Sequence, residues 1–224
     1  GALKDPKLRR AISYAIDRKT ISEKIQGGMN PLAYNGMPTN MPFYKAAVEK
    51  YEYNPAKAKS LIKSLGYFNK VTLTMSTSSL VPKQAEIDQA IVGYLKAVGI
   101  NVKVTKLEVG KFRTTYPDYD ISLNTIATFN NDPSFSLGLY AGGIGKAIFG
   151  WEDSEMDRLF AAQRDDSGAT RAGKVNLAQT YLWKMARTLW VSDENWVFIA
   201  NKRVKNYERS PLVGEALIVN ASVS

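Results

Sequence analysis

Acidic pairs with a spacing that could serve acid–base or metal chemistry occur at Asp118 with Asp120 and at Asp165 with Asp166. The first pair flanks Tyr119 at the entry to a strand, and the second sits in the interhelical stretch QRDDSGATR. Both read as turn and cap residues. Ser60 and Lys63 have the spacing of a nucleophile and its base, yet they fall on the exposed face of an amphipathic helix. The run AGGIG (141–145) matches a phosphate loop only in glycine content, because no Lys-Ser/Thr follows it and no strand is placed to precede it. Histidine and cysteine are absent from the chain. Their absence removes an imidazole base, a thiol nucleophile, a disulfide framework and a Cys/His zinc site. Carboxylate-only hydrolysis, Ser-Lys catalysis and a carboxylate-bound Mg²⁺ stay open.

A second set of residues suits binding better than reaction. Ser76, Thr77 and Ser78 follow the first strand, and Asn124, Thr128, Phe129, Asn130 and Asn131 follow the third. Open α/β sheets take ligands in the crevice outside the carboxyl ends of their strands. Uncharged hydrogen-bonding groups beside one aromatic ring fit a binding cleft, although turn formation alone would also account for them. Asp132 joins the candidates and has a structural reading too, as the N-cap of a helix with Pro133 at its first position.

The elements that must position these groups are well marked. Asp5-Pro6 and Asn54-Pro55 both combine a capping side chain with proline at N1. After the first, Leu8, Ala11, Ile12, Ala15 and Ile16 recur at helical spacing, and Asp17 caps a shorter helix stopped by Gly27-Gly28. Residues 29–44 read as an extended crossing loop. Val71, Leu73 and Met75 alternate with threonines as a strand, a helix runs over about 82–98, and Ile100, Val102 and Val104 form the next strand. This is a βαβ crossover with a parallel pair. A third strand is expected over 120–127, a helical turn after Asp132-Pro133 broken by AGGIG, helices over 154–163 and about 171–190, and a buried strand WVFIA over 196–200. Beyond Asn201 periodicity fades. The fold class is α/β, one domain of about 200 residues plus a tail.

Composition agrees with a globular chain: 224 residues, 45% hydrophobic and 23% charged. No stretch reaches the ~20 apolar residues that cross a bilayer. The opening GALKDPKLRR has no apolar signal core, so any export signal is expected outside this sequence. The net charge of +9 raises binding of nucleic acid or another anionic surface as an alternative, but the lysines are spread over helix faces rather than run together. They read as a solvated basic surface.

Several motifs resemble one family. DPKLRRAISYAIDRKTISEKI and YEYNPAKAKSLIKSLGY are similar to two stretches typical of the family-5 (cluster C) solute-binding proteins of ABC importers. LKAVGINVKV, YDISL, NDPSF and SEMDRLFAAQ continue the likeness in order. The resemblance implies a periplasmic-binding-protein-like second lobe, a mixed sheet with a βαβ crossover flanked by helices. It implies a lobe over 1–200 and a return segment over 201–224 toward a first lobe that lies outside this sequence. It implies solute capture without catalysis, no cofactor, no metal and no nucleic acid. The expected partners are a small-molecule solute, that first lobe and an ABC permease, in the periplasm or on a membrane-anchored lipoprotein. Peptide-binding members place an aspartate and a tryptophan where this chain has Phe129 and Ile126. The expected ligand is therefore a non-standard peptide-like or sugar-like solute, with ordinary di- or oligopeptides as the alternative.

Overall fold

The structure is a computed structural model, and it describes residues 1–46, 50–125, 130–195, 201–206, 208–209, 216–217 and 222–223. Helix α1 (Pro6–Ala15) starts as its sequence requires: the Asp5 side chain accepts from Lys7 N at 2.8 Å, with Pro6 at the first position. Asp17 caps α2 (Arg18–Thr20) in the same way, and the chain continues through a wider helical turn over Ile21–Ile25. The crossing loop follows, tied back by a bridge between Leu32 and Ser192. Asn54 then caps α3 (Pro55–Ser64) through Lys57 N.

Strand β1 (Val71–Thr77), helix α4 (Gln84–Ala97) and strand β2 (Ile100–Lys106) form the expected crossover, with β1 and β2 parallel and Val71 opposite Ile100. After α5 (Val109–Thr115), the short strand β3 (Ile121–Ser122) adds parallel to the other edge of β1, giving the order β2-β1-β3. The strand expected over 120–127 is shorter than that: residues 123–125 are not strand, and 126–127 lie outside the described residues, as does the whole of WVFIA.

The second half is helical: α6 (Pro133–Gly138), α7 (Gly142–Phe149), α8 (Ser154–Ala162) and α9 (Gly168–Met185). Two expectations are corrected here. AGGIG does not break α6, which already ends at Gly138; it opens α7 instead, where the Asp157 carboxylate accepts from Gly142 N at 2.6 Å and caps the new helix. The long helix runs over 168–185 rather than 171–190, because Ala186 turns left-handed (φ 45°) while its N–H meets the Leu182 and Trp183 carbonyls. Leu189 still packs on the core, from a loop instead of a helical stripe. In the tail, β4 (Val204–Lys205) pairs with β7 (Ser222–Val223), and β5 (Glu208–Arg209) with β6 (Ala216–Leu217), both antiparallel.

Two apolar clusters result. One joins α1, α3 and α4 to β1 and β2 through Leu8, Ile12, Ile62, Leu73, Met75 and Leu95. The other joins α6, α8 and α9 through Leu137, Met156, Leu159, Val175 and Leu182. Two buried arginines of α1 and α2 fasten these halves together. Arg9 donates to Met185 O from Nη2 at 2.6 Å, and Arg18 donates to Trp190 O from Nε at 2.8 Å. Arg18 Nη1 also reaches the Ser13 and Tyr51 carbonyls. Arg9 and Arg18, two charged positions of the first family-like motif, therefore serve the fold.

Candidate functional site

Because β1 and β3 are parallel and Ser76 stands opposite Ser122, Ser78 and Asn124 emerge at the same carboxyl end of the sheet. Ser76 is fully buried there, its hydroxyl 2.5 Å from that of Ser122. Thr77 and Ser78 are buried as well. Ser78 Oγ donates to Gln84 Oε1 at 3.0 Å, and Gln84 Nε2 donates to Leu123 O at 3.2 Å. One glutamine at the start of α4 thus ties the end of β1 to the end of β3. Asn124 is half-buried and meets the Tyr116 hydroxyl, while its own Oδ1 accepts from Thr125 N at 2.9 Å.

Asn130, Asn131 and Asp132 make a second group at the amino end of α6. Asn130 and Asn131 are exposed, and Asn130 Oδ1 accepts from Asp132 N at 3.1 Å. Asp132 is occupied. It caps α6 through Ser134 N at 2.8 Å and receives two hydrogen bonds from Arg171 of α9. Those Arg171 hydrogen bonds, more than any other cause, hold its carboxyl down at about 2. Thr128 and Phe129, between the two groups, lie outside the described residues.

Two features escaped the sequence reading. Asp88 of α4 is 1% exposed, and neither of its oxygens has a hydrogen-bond partner among the described residues. Burial pushes its carboxyl up to about 6, and the neighbouring Thr77 hydroxyl only partly opposes the rise. The spacing Gln84, Asp88, Ile91, Leu95 places it on the buried stripe, which was the available signal. Glu194 is exposed and accepts from Thr125 Oγ1 at 3.2 Å, just beyond β3. Its one carboxylate has no cationic partner among the described residues. No pattern in the sequence pointed to it.

A cavity of about 330 Å³ runs beside the open edge of β3, between Met75, Ile91, Asn124 and Trp151. Of the expected site residues only Asn124 lines it. Its floor is the hydrophobic core, and its Arg187 is already engaged by Asp153 at 3.3 Å and by the face of Trp151. Tyr116, Asp120, Ser122 and Thr188 line it as well, so its wall is mixed polar and apolar. Among the described residues no group of three or more His, Cys, Asp or Glu is placed to hold a metal ion. Among them, too, no helix is long and apolar enough to cross a membrane.

Known proteins share this fold. The NikA protein of Brucella suis, solved with Fe(III)-EDTA, superposes on the whole chain with a TM-score of 0.82 at 18% identity, the chain covering 49% of it. HbpA2 of Haemophilus parasuis superposes on 99% of the chain with a TM-score of 0.80 at 20% identity, with 45% of that protein covered. Among curated relatives, the glutathione-binding protein GsiB of Pectobacterium atrosepticum is 25% identical over 215 residues, 94% of this chain and 42% of its own length. Heme-binding protein A of Haemophilus influenzae is 24% identical over 92% of this chain and 39% of its own length. The chain thus spans about two fifths of the curated relatives it matches. These relatives are binding proteins rather than enzymes. The family described as bacterial extracellular solute-binding proteins, family 5 Middle, matches residues 1–147, well over half of the chain. The chain belongs to that family.

Proposed function

We propose that this chain captures a small solute for an ABC importer, as one lobe of a two-lobe binding protein and without catalysing a reaction. The observation that carries the reading is the common carboxyl end of β1 and β3, where Ser76–Ser78 and Asn124 gather. In this reading Ser76, Thr77 and Ser78 form a rigid floor, and Asn124, Thr128, Phe129, Asn130 and Asn131 face the solute. Asp132 orients the asparagines through Asn130. Residues 1–200 form the lobe and 201–224 return toward a first lobe. Closure of the two lobes about that crossing buries the solute, and the closed form is what the permease reads. The protein works outside the cytoplasm, in the periplasm or tethered as a lipoprotein.

The solute is a modified peptide or a sugar-like molecule gripped by neutral hydrogen bonds. The carboxylate of Asp132 supports this reading, because Arg171 already neutralises it and leaves it no charge for a ligand ammonium. Glu194 favours a second reading, an ordinary free-amine peptide, because its carboxylate stands beside Thr125 with no cation on it among the described residues. Calorimetric titration of the whole two-lobe protein with saccharides, blocked peptides and free-amine peptides separates them. Tight binding of free-amine peptides, lost in Glu194→Gln, would establish the second reading. Binding of none of these classes, with no small molecule retained in native mass spectrometry, would overturn both.

A further inference from the structure

The lysines that look scattered in sequence are gathered by the fold. No Asp or Glu occurs over residues 53–85 or 89–107, and these two stretches carry eight lysines and no arginine. Of the two acids between them, Glu86 pairs with Lys83 and Asp88 is buried. Four of the lysines meet at one pole of the sheet. Lys59 and Lys63 of α3 hold their ammonium groups 5.4 and 4.9 Å from the centre of the Phe68 ring. Phe68 packs on Gly99, whose N–H donates to the Lys96 carbonyl at the end of α4 and whose carbonyl accepts from Asn69 N. Lys70 follows directly, before the first residue of β1. All four are exposed, and none pairs with a carboxylate among the described residues.

Helix ends account for part of this, since Lys63 and Lys96 complement the carboxyl ends of α3 and α4. They do not account for Lys59, for Lys70, or for the missing acids. We infer that this pole, Lys59, Lys63, Lys70 and Lys96 around Phe68, docks on an anionic phospholipid surface. The choice of partner follows from the cation used. Arginine, with its planar fork, dominates stereospecific phosphate recognition, and protein interfaces are enriched in arginine and depleted of lysine. Flexible lysines around one aromatic ring need only a plane of negative charge. The pole lies at the amino ends of β1 and β2, opposite the polar carboxyl end, so a docked lobe keeps its solute side turned away from the bilayer. The inference stands apart from the solute reading and from which solute is bound.

Vesicle flotation tests it with the 224-residue chain. The expected result is capture by phosphatidylglycerol vesicles, none by phosphatidylcholine vesicles, and release when salt shortens the screening length from about 10 Å to about 3 Å. Changing Lys59, Lys63, Lys70 and Lys96 together to Gln should weaken partitioning at least ~100-fold. Changing Lys4, Lys24, Lys111 and Lys184 to Gln removes the same charge from other exposed positions and should preserve capture. Changing the four pole lysines to Arg should preserve it too, which controls for misfolding. Equal loss in both Gln variants would reduce the effect to net charge and overturn the inference, as would absence of capture by anionic vesicles. Pole-dependent retention on duplex DNA at least as tight as on vesicles would overturn it in favour of nucleic acid.

Discussion

Arg171 grips Asp132 with both terminal nitrogens, Nη1 to Oδ2 at 2.9 Å and Nη2 to Oδ1 at 2.6 Å. The same guanidinium reaches Gln163, which is fully buried, and Ser134, so α6 is locked to α8 and α9 at the base of the Asn130–Asn131 turn. Asp132 is 44% exposed, and solvent screening limits what the pair contributes. Arg171→Gln should cost about 1 kcal/mol in urea denaturation at pH 7. Because Asp132 titrates at about 2, below its unfolded value, its contribution is present above about pH 4 and lost as pH falls through 2. The wild-type and Arg171→Gln melts should therefore converge in strong acid. A gap that persists there would mean that Arg171 acts through packing alone.

Asp88 has the opposite sign. Its folded carboxyl titrates at about 6, above the unfolded value, so its contribution is full below about pH 4 and lost as pH rises through 6. Asp88→Asn keeps the shape and removes the charge. It should be more stable than wild type by about 2–3 kcal/mol at pH 8 and nearly equal to it at pH 4. The comparison must be of variant with wild type, since burial also raises Asp193 to about 6 and tilts the wild-type curve the same way. Equal melting of the two proteins across this range would show that the carboxylate is solvated.

Arg18 is 6% exposed and satisfies three carbonyls, those of Ser13, Tyr51 and Trp190. A lysine there cannot reproduce the fork and strands at least one acceptor, which costs about 1–3 kcal/mol. Arg18→Met strands all three and should cost about 3 kcal/mol or more. The denaturation midpoints of the two variants should fall in that order.

Two glycines should respond in opposite directions. Gly99 has φ +84°, and an added Cβ would stand 2.4 Å from the Phe68 ring, so Gly99→Ala should cost about 2–4 kcal/mol. Gly93 lies within α4 with nothing within 4 Å of its missing Cβ, and Gly93→Ala should add about 0.5–1 kcal/mol. Thermal melts of the pair read the sign directly.

What the sequence revealed and what it hid follow from how local each determinant is. The cap-plus-proline starts at Asp5, Asn54 and Asp132 were legible because cap and helix are adjacent in the chain. The parallel crossover was legible from two alternating strands with one helix between them. The end of α9 was not, since the helix stops at a left-handed, buried Ala186 rather than at a glycine or proline. The fastening roles of Arg9 and Arg18 were not legible, because the Met185 and Trp190 carbonyls lie 176 and 172 residues away. For the site, the common carboxyl end of β1 and β3 followed from the parallel pairing. The partners of those residues did not. Gln84 binding Ser78 and Arg171 capturing Asp132 are choices made between elements that nothing in local spacing announces.

The arginine fastenings of α1 and α2 also set an order of events. Synthesis delivers about 5–20 residues per second, so Arg18 waits roughly 10–35 s for the Trp190 carbonyl to exist. Throughout that interval Arg9 has only the nearby Leu3 and Lys4 carbonyls and Arg18 only those of Ser13 and Tyr51, so neither guanidinium holds the far end of the chain. Their docking closes very long loops, a slow kind of contact. Helix α1 is therefore made before most of the elements around it and receives its last fastening after them.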